Sequence, residues 1–290
     1  MTPKKPFYAP RETTHVLFRC PAVAASPVAE KTMEHQATQF SEPLPPPSTV
    51  LVLATYNEAP NLARLIPVLF EVVTTAHVVV VDDNSPDGTP AFLLDLSRTY
   101  PRLHPLIRPR KQGYGTAVLE GFRAALAMGA ERIVTLDADF SHDPHDVPAL
   151  TSALDHADTA IGSRYVGGVR VLNWHPSRLL LSLFANRYVK TILGLKVEDA
   201  TSGFRAYRRE AIEALLANPP HSVGYSFLVE ILYRLHCLRL AITEVPIIYT
   251  ERREGQSKMS RGVIGEAILR PWLLRLGRKP QPADLKTTSS

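Results

Sequence analysis

Residues 78–89 read Val78-Val79-Val80-Val81-Asp82-Asp83-Asn84-Ser85-Pro86-Asp87-Gly88-Thr89, and the abrupt change of character within them decides the architecture. Four consecutive β-branched apolar residues offer no polar face to water, so they suit a strand buried on both sides, whereas the Asn, Ser, Pro and Gly that follow form turns. The succession recurs. Besides His77 to Val81, apolar runs at Val50 to Ala54, Leu103 to Ile107, Arg132 to Leu136 and Thr159 to Ile161 stand out, with segments of helical period between them, including Asn61 to Val73, Thr116 to Met128 and Asp146 to Leu154. Buried strands alternating with helices predict an α/β domain with a largely parallel sheet, whose ligand chemistry falls at the carboxyl ends of its strands. After Gly162 the chain reads as helical at Arg178 to Leu193 and Ser226 to Cys237, with a last apolar run at Ile242 to Tyr249. That half is expected to cover the site within the same domain.

Three acidic turns follow predicted strands: Tyr56-Asn57-Glu58, Asp82-Asp83-Asn84 and Asp137-Ala138-Asp139. Side chains alternate along an extended chain, so aspartates one residue apart can aim at one place. Such a pair suits a hard divalent cation, since Mg²⁺ takes one or two carboxylates and fills its shell with water and phosphate oxygens. An isolated Asp-X-Asp is more often explained by a helix cap beside a solvated carboxylate; the two neighbouring acidic turns favour the metal. Asp83 can accept hydrogen bonds from a base or ribose, while Asp87 or Thr89 suits the cap of the next helix. The Gly113-Tyr114-Gly115 turn lacks the Lys-Ser/Thr of a P-loop and the full dinucleotide fingerprint, which disfavours an NTPase or a dehydrogenase.

At 290 residues, with 45% hydrophobic and 21% charged content, the chain can bury a sizeable core. Its formal charge of +5 is concentrated: Arg252 to Lys279 holds eight Lys/Arg against Glu254 and Glu266. A local basic surface suits phosphate-bearing partners, anionic lipid or nucleic acid. Cys20 and Cys237 are the only cysteines, so no disulfide framework is expected and a reducing compartment fits. Residues 1–48 contain nine prolines and no sustained hydrophobic period, which reads as a disordered extension without a signal peptide. The longest apolar candidate for a membrane span, Leu179 to Leu195, is interrupted by Asn186, Arg187 and Lys190. Any work at a membrane is therefore expected from its surface.

The segments together resemble family 2 glycosyltransferases of the GT-A fold, specifically the polyprenyl-phosphate (dolichyl-phosphate) mannosyltransferases. The resemblance rests on Ala54-Thr55-Tyr56-Asn57-Glu58, Val81 to Thr89, Asp137 to His142, Gly162-Ser163-Arg164-Tyr165, Trp174 with Arg178, Thr201 to Arg205, Gly224 to Phe227, and Arg252 through Gly255 to Ser257-Lys258. These occur in order over residues 49–260, with Ala54 in place of the usual Pro and Tyr114 where Leu is common. The resemblance implies a mostly parallel, Rossmann-like sheet flanked by helices in a single catalytic domain at 49–260, after the Pro-rich extension and before a basic C-terminal segment at 261–290. It implies that Ala54, Tyr56, Glu58, Val81 and Asp83 hold the nucleoside, and that Asp137 and Asp139, with Ala138 between them and Ser141 as an additional ligand, hold Mg²⁺ or Mn²⁺. It further implies GDP-mannose as donor, a polyprenyl or dolichyl phosphate as acceptor, and inversion at the anomeric carbon.

An acceptor phosphate is already anionic, so catalysis rests on orientation and charge neutralisation. In that context Arg164, Arg178, Arg252 and Lys258 are expected to grip phosphates, a guanidinium having paired donors that match phosphate oxygens. The segment Arg178 to Leu195 is either a core helix or a guide for a lipid tail. The segment Gly262 to Lys279 is either an interfacial amphipathic helix, which Pro271 would kink or restart, or one packed on the body. The expected location is cytoplasmic, peripheral to the cytoplasmic face of a membrane, with room for a membrane-anchoring partner protein and no nucleic acid expected. Alternatives are a UDP-sugar donor on the same fold and a non-catalytic sugar-nucleotide-binding scaffold.

Overall fold

The computed structural model describes residues 48–251, apart from 223 and 225, and residues 261–277. The Pro-rich extension therefore lies outside the described residues, as do Arg252 and Lys258. The chain begins with three strand–helix units: β1 (Thr49–Thr55), α1 (Ala59–Val72), β2 (His77–Asp82), α2 (Thr89–Thr99), β3 (Leu103–Ile107) and α3 (Tyr114–Ala127). β4 (Arg132–Thr135), α4 (Val147–Ala153) and β5 (Thr159–Ser163) continue the alternation. β1 pairs in parallel with both β2 and β4, with Leu51 opposite Val78 on one side and Val134 on the other.

Alternation along β1 and β2 divides the core into two layers. Leu51, Leu53, Val78 and Val80 pack under α1, α2 and α4, whereas Val50, Val52, Val79 and Val81 pack on the other face with α3. A strand covered on both faces has no use for a polar position, which is why these runs are uniformly apolar. α3 lies especially close to β1: a Cβ on Gly121 would run into the Val52 side chain.

The second half departs from the parallel scheme. A short β6 (Val171–Leu172) and the long α5 (Pro176–Leu193) precede β7 (Arg205–Arg208), which enters the sheet antiparallel between β4 and β5. α6 (Arg209–Ala217) and α7 (Ser226–Cys237) follow on the α3 side, and β8 (Ile242–Pro246) pairs in parallel with β5. The resulting seven-stranded order is β3-β2-β1-β4-β7-β5-β8. The expected apolar run Ile242 to Tyr249 is thus two strands. Beyond Pro246 the chain leaves the main sheet, and β9 (Tyr249–Thr250) pairs with β6 in a sheet of its own. α8 (Arg261–Leu276) then packs against α5 and α7 and runs through Pro271 without a break in the assigned helix. Among the described residues no helix is long and apolar enough to cross a membrane.

Candidate active site

The order β2-β1-β4 sets the three acidic turns side by side at one edge of the sheet. Each turn bends through a left-handed residue: Asn57 at φ 63°, Asn84 at φ 55° and Phe140 at φ 59°. Asparagine tolerates that conformation, whereas for a bulky aromatic it is uncommon and is retained only where the surroundings enforce it. The first two turns are tied together, since Asn57 N–H donates to Ser85 Oγ at 2.8 Å.

Adjacent aspartates in the second turn do different work. Asp82 is fully buried and accepts from Ser85 N–H at 2.8 Å, Ser85 Oγ at 2.6 Å and Thr55 Oγ1 at 3.1 Å, so it builds the turn. Asp83 Oδ2 accepts from the backbone N–H groups of Gln112 and Gly113 at 3.2 and 2.9 Å, while Oδ1 pairs with Arg108 at 2.7 Å. Asp83 therefore organises the 108–113 loop, which carries Lys111 across the Tyr56 ring at 3.5 Å from its centroid. Val81 is wholly buried beneath α3, so only its main chain can serve a nucleoside. Ala138 is likewise in the core, whereas Ala54 is half-buried at the end of β1. Asp87 Oδ1 accepts from Thr89 N–H and Oγ1 at 3.0 and 2.6 Å just before α2, whose N-cap is Gly88 in the left-handed region rather than the expected Asp87 or Thr89.

In the third turn Asp139 Oδ1 accepts from Ser141 N–H at 3.0 Å and from Ser141 Oγ at 2.6 Å. Ser141, expected as a ligand itself, here orients the carboxylate. Asp137 is more open, and its backbone N–H donates to His142 Nδ1 at 3.3 Å. Burial lowers the His142 pKa below that of a free imidazole, against the raising effect of the nearby Asp137 and Asp139 carboxylates. A Cβ on Gly203 would sit 3.6 Å from Asp137 Oδ1 and 3.4 Å from the Tyr114 hydroxyl. Burial, reinforced by the nearby Asp137, raises the Tyr114 pKa well above that of a free phenol. Among the described residues no three His, Cys, Asp or Glu side chains converge on a metal position. The Asp137–Asp139 pair is a hard-oxygen set fit for a cation whose shell is completed by phosphate and water.

An aromatic wall leads from this pair. The His142 ring stacks on Phe204 at 5.1 Å and meets Tyr249 edge-on at 5.5 Å; Tyr249 meets Trp174 at 5.4 Å; and the Arg178 guanidinium lies 4.4 Å from the Trp174 centroid. Arg178 is exposed and also pairs with Glu251. Arg164 stands behind the wall and is differently employed. Its Nε and Nη2 grip Asp199 at 2.6 and 2.7 Å, and Nη2 also reaches Thr201 Oγ1 at 2.7 Å. Both partners are buried, and although burial pushes the Asp199 carboxyl up, the Arg164 fork holds it below its ordinary range. The two arginines expected in one role are thus separated: Arg178 is accessible, and most of the Arg164 fork is committed to a buried ion pair.

The sequence alone gave no role to Asp199, Tyr114, Lys111 or the His142 side chain. His142 lies within the quoted Asp137 to His142 motif, which is the signal that could have found it. It also passed over Glu230 on α7, fully buried and accepting from Ser222 Oγ at 2.5 Å, Arg234 at 2.7 Å and Arg270 of α8 at 2.8 Å. Burial opposes its ionisation, but Arg270, Ser222, Arg234 and the His221 N–H outweigh it and bring its pKa down to about 2.

Residues 50–216 match the model of glycosyl transferase family 2, and the chain belongs to that family. It is 42% identical over 228 residues to a polyprenol monophosphomannose synthase of Mycolicibacterium smegmatis, covering 78% of this chain and 86% of that protein. It is 40% identical over 218 residues to an undecaprenyl-phosphate mannosyltransferase of Micrococcus luteus, covering 75% of this chain and 90% of that one. Among solved structures, a mannosyltransferase of Pyrobaculum calidifontis in complex with GDP-Man and Mn²⁺ superposes with a TM-score of 0.54 at 19% identity, covering 81% of this chain and 66% of that one. That likeness establishes a shared GT-A fold.

Proposed function

We propose that this protein transfers a mannosyl unit from GDP-mannose to a polyprenyl phosphate of dolichyl or undecaprenyl type, at a membrane surface and with a divalent cation. The observation that carries the reading is the wall from His142 through Tyr249 and Trp174 to Arg178, which joins the Asp137–Asp139 pair to the head of α5. A diphosphate leaving group and a monophosphate nucleophile each need a cationic partner, and the wall separates two such places. The names of the relatives at 40–42% identity support a mannosyl group and a polyprenyl-phosphate acceptor.

The nucleoside end would fall to the first two turns, with Tyr56 against Lys111 of the loop that Asp83 holds, Glu58 on the first turn, and the main chain at Ala54 and Val81. Asp137 and Asp139 would hold the cation, Ser141 fixing the Asp139 carboxylate; the ion would neutralise charge on the departing diphosphate. Arg178 would receive the acceptor phosphate; Arg252 and Lys258, outside the described residues, would share that role. One phosphate oxygen attacks the anomeric carbon from the face opposite the diphosphate. The new carbon–oxygen bond forms as the bond to GDP breaks, no proton changes hands, and the configuration inverts.

Purified protein assayed with labelled GDP-mannose, UDP-glucose and GDP-glucose on polyprenyl phosphate should transfer from GDP-mannose alone, stop on chelation, and resume with Mg²⁺ or Mn²⁺. Preference for a UDP-sugar would overturn the donor assignment. Transfer that persists after complete metal removal would overturn the role given to the aspartates.

A further inference from the structure

We propose that α5 and α8 form one composite docking face for an anionic lipid bilayer. The proposal deepens the reading above by naming the surface through which the enzyme meets its acceptor's membrane. α5 exposes Leu180 at 67% and Phe184 at 68%, while α8 exposes Leu269, Trp272, Leu273 and Leu276, the last at 80%. Their positions are not scattered. On α5 the inward side carries Asn186, Val189 and Leu193, and on α8 it carries Arg270, Pro271 and Leu274. At a helical spacing of about 100° per residue, the exposed apolar residues of α8 project from the side opposite those three. α8 thus packs through one side, anchored by Arg270, and presents an apolar side outward.

The two outward faces are continuous. Tyr188 of α5 donates to the Ile268 carbonyl at 2.8 Å and accepts from Trp272 Nε1 at 3.0 Å, and its ring stacks on Phe184 at 6.3 Å. Arg270 fixes α8 from beneath through buried Glu230. Single exposed apolar residues are ordinary on any protein, but a contiguous apolar face on two fastened helices marks an interaction surface.

Charge selects the occupant. α5 carries Arg178, Arg187 and Lys190 with no acidic residue, and Arg187 and Arg275 are exposed around the apolar face. Basic residues around an apolar strip, with Trp and Tyr rings at its centre, match the headgroup and acyl boundary of an anionic bilayer. A symmetric contact with a second copy would instead bring this basic rim against itself. The face is also continuous with the candidate site, because Arg178 on Trp174 occupies the first turn of α5 and Leu180 and Phe184 follow within two turns.

The test is flotation of the full chain with phosphatidylcholine vesicles with and without phosphatidylglycerol. Binding is expected only with the anionic lipid, and Phe184→Ser combined with Leu273→Ser and Leu276→Ser should weaken it by roughly tenfold or more. Arg187→Glu with Arg275→Glu, an independent variant at exposed positions, should abolish the preference for anionic vesicles. Both variants should unfold at the wild-type temperature and keep wild-type turnover on a short, water-soluble polyprenyl phosphate. Vesicle binding unchanged in the triple variant, no vesicle binding by the wild type, or a wild-type dimer that the triple variant dissolves would each overturn the proposal. Should no polyprenyl phosphate accept mannose while the variants still lose vesicle binding, the proposed function fails and the docking face is upheld.

Discussion

Neighbouring residues of the same type separate into structural and chemical members at this site. Asp82 is buried under three hydrogen bonds from Ser85 and Thr55, one position before Asp83. In the proposed reaction Asp137 and Asp139 would hold the cation on the leaving group, so Asp137→Asn or Asp139→Asn should each lower kcat by about 10²-fold or more in saturating Mn²⁺. Steady-state assays beside thermal unfolding will check that the fold persists. Arg164 and Arg178 make a sharper contrast. Arg164→Ala leaves Asp199 as a buried, unpaired charge and should cost about 3–5 kcal/mol, measured by urea unfolding. Arg178→Ala removes an exposed pair with Glu251 and a contact with the Trp174 ring, so stability should shift by only about 1 kcal/mol while turnover on the lipid acceptor falls. The motif Gly162 to Tyr165 made Arg164 visible in the sequence, but its employment was hidden because its partner Asp199 lies 35 residues away with no spacing rule to connect them.

The strands that the sequence made legible are those buried on both faces. β7 escaped notice because Arg205-Ala206-Tyr207-Arg208 has polar ends. In the fold the Arg205 side chain is wholly buried, yet it donates to the carbonyls of Ser202, Ala200 and Leu228. A charged residue satisfied by main-chain acceptors leaves no periodic signature. α3 and β1 touch where Gly121 meets Val52, so Gly121→Ala should destabilise by about 1–3 kcal/mol through overpacking, as a lowered urea midpoint will reveal. β2 and β3 are joined at one end by His77 Nδ1 and His104 Nε2, 2.9 Å apart with stacked rings. Burial lowers both pKa values, and the charges of His104 and Arg102 lower that of His77 further. The unfolded chain then binds protons that the folded chain refuses, so stability falls as pH drops below about 6.5 towards the lower folded values. His77→Phe with His104→Phe should reduce that slope when unfolding is compared at about pH 7 and about pH 5. Glu230 contributes in a separate window, losing its share only as pH falls from 4.5 towards about 2.

Across the whole molecule, the family match ends at residue 216, yet α7, β8 and α8 all lie beyond it. Glu230 crosses that limit. It holds Ser222, whose carbonyl, with the Phe227 ring, packs where a side chain on Gly115 would otherwise fit. Gly115 is two residues from Gly113, the N–H of which donates to Asp83. The same carboxylate is held from the other side by Arg270 of α8. The C-terminal helix is therefore not a detachable appendage. A chain shortened to end at residue 260 should show a lower unfolding temperature and a higher KM for the sugar nucleotide, measurable on a water-soluble acceptor. Its catalytic unit cannot be trimmed to the family boundary without disturbing the donor side, so modularity drawn from where a family match stops would be misleading for this enzyme.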